Sequence, residues 1–151
     1  MIHIETNPSL ENIPDEALLK RAAETALEQQ TTPKDADLTI LLTDDAQVQQ
    51  LNRDYRKIDA PTDVLSFEAH ERDPETGRLY LGDIVISMQH AAKQAQTGGH
   101  PLEAEVQLLI AHGVLHLLGH DHAESEEKVV MWAAQAEILA RLDLSHIMIQ
   151  E

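Results

Sequence analysis

The sequence predicts an α/β (α+β) fold in which a single sheet of about four strands is covered by about five helices. Short apolar runs alternate along the 151-residue chain with longer segments whose apolar residues recur every three or four positions. No internal repeat, low-complexity tract or linker interrupts this alternation. We therefore expect residues 1–151 to form one domain, because this length allows a substantial core.

The first half of the chain is predicted to hold two strands and two helices. Residues 1–5 and 38–42 are short runs rich in apolar and β-branched residues, which predict strands. Pro14 fits the first turn of a helix that continues to about residue 29. Thr43 or Asp44 can cap the second helix. The apolar positions of that helix are Val48, Leu51 and Tyr55.

Two more strands are predicted near the middle of the chain. Residues 64–67 and 84–86 are apolar runs bounded by turn-forming residues. The segment between them, residues 68–78, is polar and contains a proline and a glycine, so we predict a surface excursion outside the sheet. Asp83, beside a glycine, is predicted to be a turn residue.

Three helices are predicted after the last strand. Ser87 can cap a helix that runs to about Gln96 and stops at the glycine pair 98–99. Residues 102–118 form the next helix, and residues 126–142 form the last one. The last helix is predicted to pack through Val130, Ala133, Ala134, Ile138 and Leu139.

Three histidines near the end of the helix at 102–118 have the spacing of ligands to one metal ion. His112 and His116 are four residues apart, so both imidazoles lie on one face of a helix. Gly119 allows the helix to end and the chain to reverse, which can return His122 to the same point. Three neutral imidazoles suit Zn²⁺ and leave a fourth position for water, as in catalytic sites. The sequence thus predicts one zinc ion at the end of this helix.

Composition and charge exclude several classes of protein. No cysteine is present, so neither disulfides nor thiolate metal sites are available. The formal charge of −16 excludes broad electrostatic attraction to nucleic acid, and any such contact must be local. The first ten residues lack the pattern of a secretion signal, and no stretch approaches the length of a membrane span. We therefore expect a cytoplasmic protein without membrane contact.

The one compact basic group is Arg53, Arg56 and Lys57, in an otherwise acidic chain. Cations at this position either stabilise the C-terminus of the preceding helix or provide a local contact for phosphate.

The pattern H-E-x-x-H-x-x-G-x-x-H of the metzincin proteases shares the three histidines and the glycine. The residue after the first histidine is Gly113 here, whereas in those enzymes it is the glutamate that activates the zinc-bound water. A peptidase built on this site would lack its general base. This chain and the metzincin proteases thus share the spacing of the metal ligands, but they need not catalyse the same reaction.

Residues 112–122 more closely resemble the H-G-x-L-H-L-x-G-y-D-H signature of the YbeY family. These proteins are bacterial metal-dependent endoribonucleases of ribosomal RNA maturation, formerly grouped as predicted metalloproteases. The resemblance extends, in matching order and spacing, to residues 51–56, 61–67 and 81–87. It covers most of the chain from about residue 40 to residue 125.

The resemblance implies zinc ligation by His112, His116 and His122, with His112 and His116 also acting as catalytic residues. It implies a role for Arg56 at an RNA phosphate or at the charge that develops on the scissile phosphate, because guanidinium binds phosphate oxygens bidentately. It also implies a single-strand-specific endoribonuclease domain over residues 1–151, acting in 16S rRNA 3′-end maturation and ribosome quality control. The implied partners are single-stranded ribosomal RNA, the small ribosomal subunit or its proteins, and assembly GTPases.

The chain departs from the family at His120, where Tyr is usual, and at Glu68, where Pro is common. His120 is either a contact around the metal or the substrate, or a solvated side chain. Glu105, two helical turns before His112, could orient a water or an imidazole. Asp121, next to the last ligand, either holds an imidazole N–H or stabilises the turn.

The predicted reaction is hydrolysis of a phosphodiester in single-stranded RNA. Zn²⁺ would activate water and polarise a phosphoryl oxygen, while Arg56 would hold the substrate or the developing charge. The residues do not identify a general base, and either water or the RNA 2′-hydroxyl could attack. Two alternatives stay open: a zinc peptidase or amidase, and a ribosome-assembly factor whose metal mainly stabilises the fold.

Overall fold

A computed structural model describes residues 1–147, and within them it contains four strands and five helices. The strands are β1 (Ile2–Thr6), β2 (Ala36–Thr43), β3 (Val64–Arg72) and β4 (Leu79–Ser87). The helices are α1 (Glu16–Gln29), α2 (Asp45–Arg56), α3 (Met88–Gly98), α4 (Leu102–Leu117) and α5 (Ser125–Arg141). The predicted fold class, a four-stranded sheet with five helices, is confirmed.

The four strands form one mixed sheet in the order β1-β2-β4-β3. β1 and β4 both run parallel to β2, and their registers align Ile4 with Ile40 and Ile40 with Ile84. β3 pairs antiparallel with β4 and forms one edge of the sheet. The central strands β2 and β4 are rich in Leu, Ile and Val because helices cover both of their faces.

The main core lies between one face of the sheet and the helices α1, α4 and α5. α4 is apolar on nearly all sides, as expected for a helix surrounded by other elements. On the opposite face of the sheet, α2 contributes Val48 to a smaller cluster with Leu65 and Val85. The helix that carries two of the histidines is therefore held at the centre of the molecule.

The helix caps agree with the sequence at α2 and α3 and differ at α1. The side chain of Asp44 accepts a hydrogen bond from the backbone N–H of Gln47, and Ser87 caps α3, which ends before Gly99. α1 begins only at Glu16, because the side chain of Asp15 supplies the cap. The prediction that Pro14 lies in the first turn of this helix is wrong.

The prediction that residues 68–78 lie outside the sheet is wrong for residues 68–72 and confirmed for residues 73–78. β3 continues to Arg72 and pairs with β4, so only the tip of the hairpin, residues 73–78, lies outside the sheet. An irregularity between Glu68 and Glu71 interrupts the alternation of side chains. This part of β3 therefore lacks the two-residue period by which strands are recognised in a sequence. Asp83 lies within β4, opposite Phe67, and is not a turn residue.

The buried face of α5 also differs from the predicted one. Val130 and Ala133 are exposed, whereas the predicted Ala134, Ile138 and Leu139 are buried. The buried stripe is completed by Met131 and Gln135. A polar residue therefore occupies a core-facing position of this helix.

Candidate metal centre

α4 brings two imidazoles together near its C-terminal end. His112 and His116 project from the same side of the helix, and their Nε2 atoms lie 3.1 Å apart. The two rings meet edge to face, with 4.6 Å between their centroids. Both side chains are partly buried.

The turn after α4 returns the third histidine to this pair. Gly119 has φ +98°, its N–H donates to the carbonyl of His116, and the N–H of His120 donates to the carbonyl of Leu115. This arrangement is the Schellman helix stop, which favours glycine at the reversal. The chain then brings His122 within ligand distance, so that one ring nitrogen from each of the three histidines lies within 4.8 Å of the others. His122 is exposed, which leaves one side of the cluster open to solvent.

Gln135 on α5 orients the first of these imidazoles. Its Oε1 lies 2.9 Å from Nδ1 of His112, and because an amide oxygen only accepts, Nδ1 must donate. The lone pair of His112 is therefore on Nε2, which faces His116. Gln135 was not predicted from the sequence; the available signal was a polar residue on the apolar stripe of α5.

The buried surroundings keep two of the imidazoles neutral. Burial lowers the pKa of His112, and the hydrogen bond that its Nδ1 donates to Gln135 offsets only part of this effect. Burial, reinforced by repulsion from the other two histidines, lowers the pKa of His116 to about 4. At neutral pH both groups therefore offer an unprotonated nitrogen, which metal ligation requires.

These residues fit a metal ion. Two nitrogens bound to one tetrahedral Zn²⁺ at 2.0–2.1 Å would be roughly 3.3 Å apart, close to the 3.1 Å observed here. In the described part of the chain, no fourth His, Cys, Asp or Glu joins the group. Three imidazoles with an open side are the donor set of a catalytic metal site.

The histidines lie in a cleft of about 650 Å³ to which Arg56 also contributes. Arg56 is the last residue of α2, and its Nη2 donates to the carbonyl of Ser66 on β3 at 2.7 Å. Its guanidinium also lies over the Phe67 ring, 5.6 Å from the centroid. Other cleft-lining residues include Asp63, Gln94, Glu105, Lys128 and Trp132.

The other candidate residues lie near the site, and the contact of Asp121 agrees with its turn-stabilising alternative, whereas the partners of Glu105 and His120 were not predicted. Glu105 lines the cleft, and its Oε1 lies 2.6 Å from Nε2 of His100, a residue that sequence analysis missed. Burial raises the pKa of Glu105. Asp121 accepts a hydrogen bond from the backbone N–H of His122, and His120 contacts the side chain of Gln30 at the end of α1.

A model of the Endoribonuclease YbeY family matches residues 2–143. The chain belongs to the YbeY family. Endoribonuclease YbeY of Pelotomaculum thermopropionicum is 47% identical, covering 87% of this chain and 90% of that protein. Endoribonuclease YbeY of Lachnoclostridium phytofermentans is 38% identical, covering 95% of this chain and 98% of that protein.

A solved structure agrees with the fold of this YbeY-family chain. The solution structure of TM1509 from Thermotoga maritima aligns with a TM-score of 0.59 at 24% identity, covering 98% of this chain and 97% of that one. At this identity the likeness concerns the fold alone.

The family assignment confirms that the chain is an endoribonuclease of a metal-dependent hydrolase family and acts on RNA. The triad His112, His116 and His122 could bind the metal ion. Within residues 1–147, no helix is both long and apolar enough to cross a membrane.

Proposed function

We propose that residues 1–151 act as a single zinc-dependent domain that hydrolyses phosphodiester bonds in single-stranded RNA. One Zn²⁺ per chain would be held by His112, His116 and His122. The observation that carries this proposal is the convergence of three ring nitrogens in a cleft that Arg56 also lines. A bound Zn²⁺ would lower the pKa of a water molecule and polarise a phosphoryl oxygen.

Arg56 would bind the RNA phosphate at the scissile position. Its guanidinium has five N–H donors, and the hydrogen bond to Ser66 uses one of them. That bond and the contact with Phe67 hold the group at the wall of the cleft. A pre-positioned guanidinium can pair with phosphate oxygens and stabilise the charge that develops on them.

Gln135 would act on His112 rather than on RNA. By accepting a hydrogen bond from the N–H at Nδ1, it keeps Nε2 unprotonated and aimed at the centre of the triad. His112 and His116 thus contribute to catalysis as ligands, and none of the described residues is assigned as a general base.

The environment of Gly113 argues against the peptidase or amidase alternative. A Cβ at this position would lie 2.8 Å from Cγ2 of Ile84, a fully buried side chain of β4. A glutamate could not occupy the position from which metzincin proteases activate water. The same packing does not obstruct phosphodiester hydrolysis, because Arg56 and the triad line the cleft and Gly113 does not.

The biological setting is proposed from the family resemblance alone. We propose that the chain acts in the cytoplasm in 16S rRNA 3′-end maturation and ribosome quality control. Its partners would be the small ribosomal subunit or its proteins, and assembly GTPases. The net charge of −16 supports delivery of the substrate by such partners, because the protein cannot attract RNA over long distances.

The test is cleavage of a single-stranded RNA by zinc-loaded protein, with His116→Ala purified in parallel as the control for contaminating nucleases. We expect cleavage by the wild type, loss of cleavage in His116→Ala, and one zinc per wild-type chain by elemental analysis. Equal cleavage by both proteins would contradict the metal-dependent mechanism. Cleavage of casein but not RNA would favour the peptidase, and bound zinc without either reaction would favour the assembly factor.

A further inference from the structure

The last turn of α2 exposes an aromatic ring beside the arginine of the cleft. Tyr55 is 70% exposed, the most exposed of the large hydrophobic side chains described. Its ring meets the Phe67 ring at 65° with 5.6 Å between centroids. The guanidinium of Arg56 lies 5.6 Å from the centre of the same Phe67 ring. The side chains of Tyr55 and Arg56 therefore both contact the Phe67 ring.

The chain needs a source of RNA affinity that does not depend on charge. It has 27 acidic and 11 basic residues, so the overall field repels a polyanion. Stacking of a nucleobase on an aromatic side chain adds to the affinity and does not require a positive surface. The chain has only four Phe, Tyr and Trp residues, and Tyr55 is the one whose ring is left largely in solvent beside a phosphate-binding group.

We propose that Tyr55 is a stacking platform for an RNA base of the strand whose phosphate Arg56 binds. This inference rests on the proposed function, because it takes the occupant of the cleft to be single-stranded RNA. The contact with Phe67 limits the motion of the Tyr55 ring, which lowers the entropy lost when a base stacks on it. The neighbouring guanidinium favours a nucleotide over an apolar protein segment, because a nucleotide supplies both a ring and a phosphate.

The platform would also contribute to the preference for single strands. A base can stack on Tyr55 only after it has left its own helix, and paired bases in a duplex are not available for this contact. The phenolic hydroxyl is not needed for stacking, so any flat aromatic side chain should replace Tyr55.

The experiment measures binding of a labelled single-stranded 2′-O-methyl oligonucleotide to zinc-loaded protein by fluorescence anisotropy, with oligonucleotide integrity checked afterwards. We expect Tyr55→Ala to weaken binding about tenfold or more, and Tyr55→Phe and Tyr55→Trp to stay within about twofold of the wild type. Ile13→Ala is the matched control, because Ile13 is also an exposed hydrophobic residue but lies in the segment between β1 and α1 rather than beside Arg56. It should bind like the wild type.

Salt dependence separates stacking from charge. Tyr55→Ala should leave the slope of log affinity against log salt unchanged, whereas Arg56→Ala should reduce that slope by about one. A set of oligonucleotides, each lacking one base, should include one that the wild type and Tyr55→Ala bind with equal affinity. Zinc content and circular dichroism establish that each variant is folded.

Unchanged affinity in Tyr55→Ala would overturn the inference and leave the residue available to a protein partner instead. Failure of Tyr55→Phe to retain binding would also overturn it, because the hydroxyl would then be the recognised group. These readouts do not depend on cleavage. A wild-type protein that binds in this aromatic-dependent way but cuts no RNA would contradict the proposed function and still support the stacking site.

Discussion

The proposed metal ligands depend on a residue outside the triad. Gln135 lies on α5 and fixes the protonated nitrogen of His112, which is on α4. The neutral amide oxygen holds the ring in position without adding a negative charge to the site. His116 has no such amide partner among the described hydrogen bonds and owes its neutral state mainly to burial. A hydrogen bond to Gln135 therefore fixes the unprotonated nitrogen of His112, whereas burial keeps His116 neutral.

We predict that Gln135→Leu weakens zinc binding by about 10- to 100-fold, because Nδ1 of His112 loses its acceptor. Gln135→Glu keeps an acceptor at the same place and should bind zinc at least as tightly as the wild type. Competition with a chelator measures the affinity. Trp132 can report it by fluorescence, because it is the only tryptophan and its ring lies 5.4 Å from that of His122. Equal affinities in Gln135→Leu and the wild type would show that Gln135 does not orient the ligand.

We predict that the metal-free protein loses stability as the pH falls from about 6.5 to about 4. In this range the unfolded chain protonates His116, while the folded chain, in which its pKa is about 4, does not. The unfolded state then binds more protons, so the free energy of unfolding decreases with falling pH. Urea denaturation with a chelator present measures this decrease.

His116→Gln is the control for this pH dependence, because it removes the titrating group. The raised pKa of Glu105 acts in the opposite direction, so the difference between the two proteins is the informative quantity. Parallel pH profiles for wild type and His116→Gln would contradict the assigned shift.

At the scale of elements, the site depends on how closely α4 approaches the sheet. Gly113 faces β4, and its missing side chain allows Ile84 to fill the space between helix and strand. β3 also supports the end of α4: the irregularity after Glu68 directs His70 towards the helix, and its Nε2 lies 2.6 Å from the carbonyl of Leu117. The helix that carries two ligands is thus fixed along its length by one strand and at its end by another.

We predict that Gly113→Ala destabilises the protein although alanine is the better helix former. Overpacking costs about 1–3 kcal/mol, against a gain of about 1 kcal/mol in helix propensity. The added Cβ would lie 2.8–3.1 Å from three atoms of Ile84, which is fully buried and cannot move away. Urea denaturation of the metal-free proteins measures the change.

The same substitution in an Ile84→Ala background is the control. There the Cβ meets a cavity, so Gly113→Ala should be neutral or stabilising relative to Ile84→Ala alone. A similar loss of stability in both backgrounds would show that the contact with Ile84 is not the cause.

For the molecule as a whole, the cleft and the net charge have opposite effects on RNA binding. The cleft offers Arg56 and the imidazoles of the triad to a phosphodiester, but the protein around it carries a net charge of −16. Long-range attraction therefore cannot select RNA, and binding must come from contacts inside the cleft. A flexible strand can enter such a cleft, whereas a stiff duplex cannot bend into it easily.

We predict that the isolated protein binds naked single-stranded ribosomal RNA only weakly at near-physiological salt, and binds a duplex of the same sequence more weakly still. Few phosphates can be neutralised, so the salt dependence should be shallow. Anisotropy titrations of both RNAs over a range of salt concentrations provide the measurement. Nanomolar affinity for both, with a steep salt dependence, would contradict this account of the surface.

The sequence by itself determined the parts of this protein that depend on local geometry. The spacing of His112 and His116 is set by the helical repeat, and Gly119 could be recognised as the helix stop because few other residues accept its backbone conformation. The caps Asp44 and Ser87 were likewise predictable, since a cap contacts the backbone only two or three residues away.

Only the tertiary structure decided which groups from distant parts of the chain meet. Gln135 contacts His112 across 23 residues, and Glu105 contacts His100 rather than a ligand of the triad. The order β1-β2-β4-β3 and the position of Arg56 in the same cleft as the histidines also depend on packing between elements. Local patterns specify which face of an element is buried, but the partner of that face is chosen by the packing of the whole core.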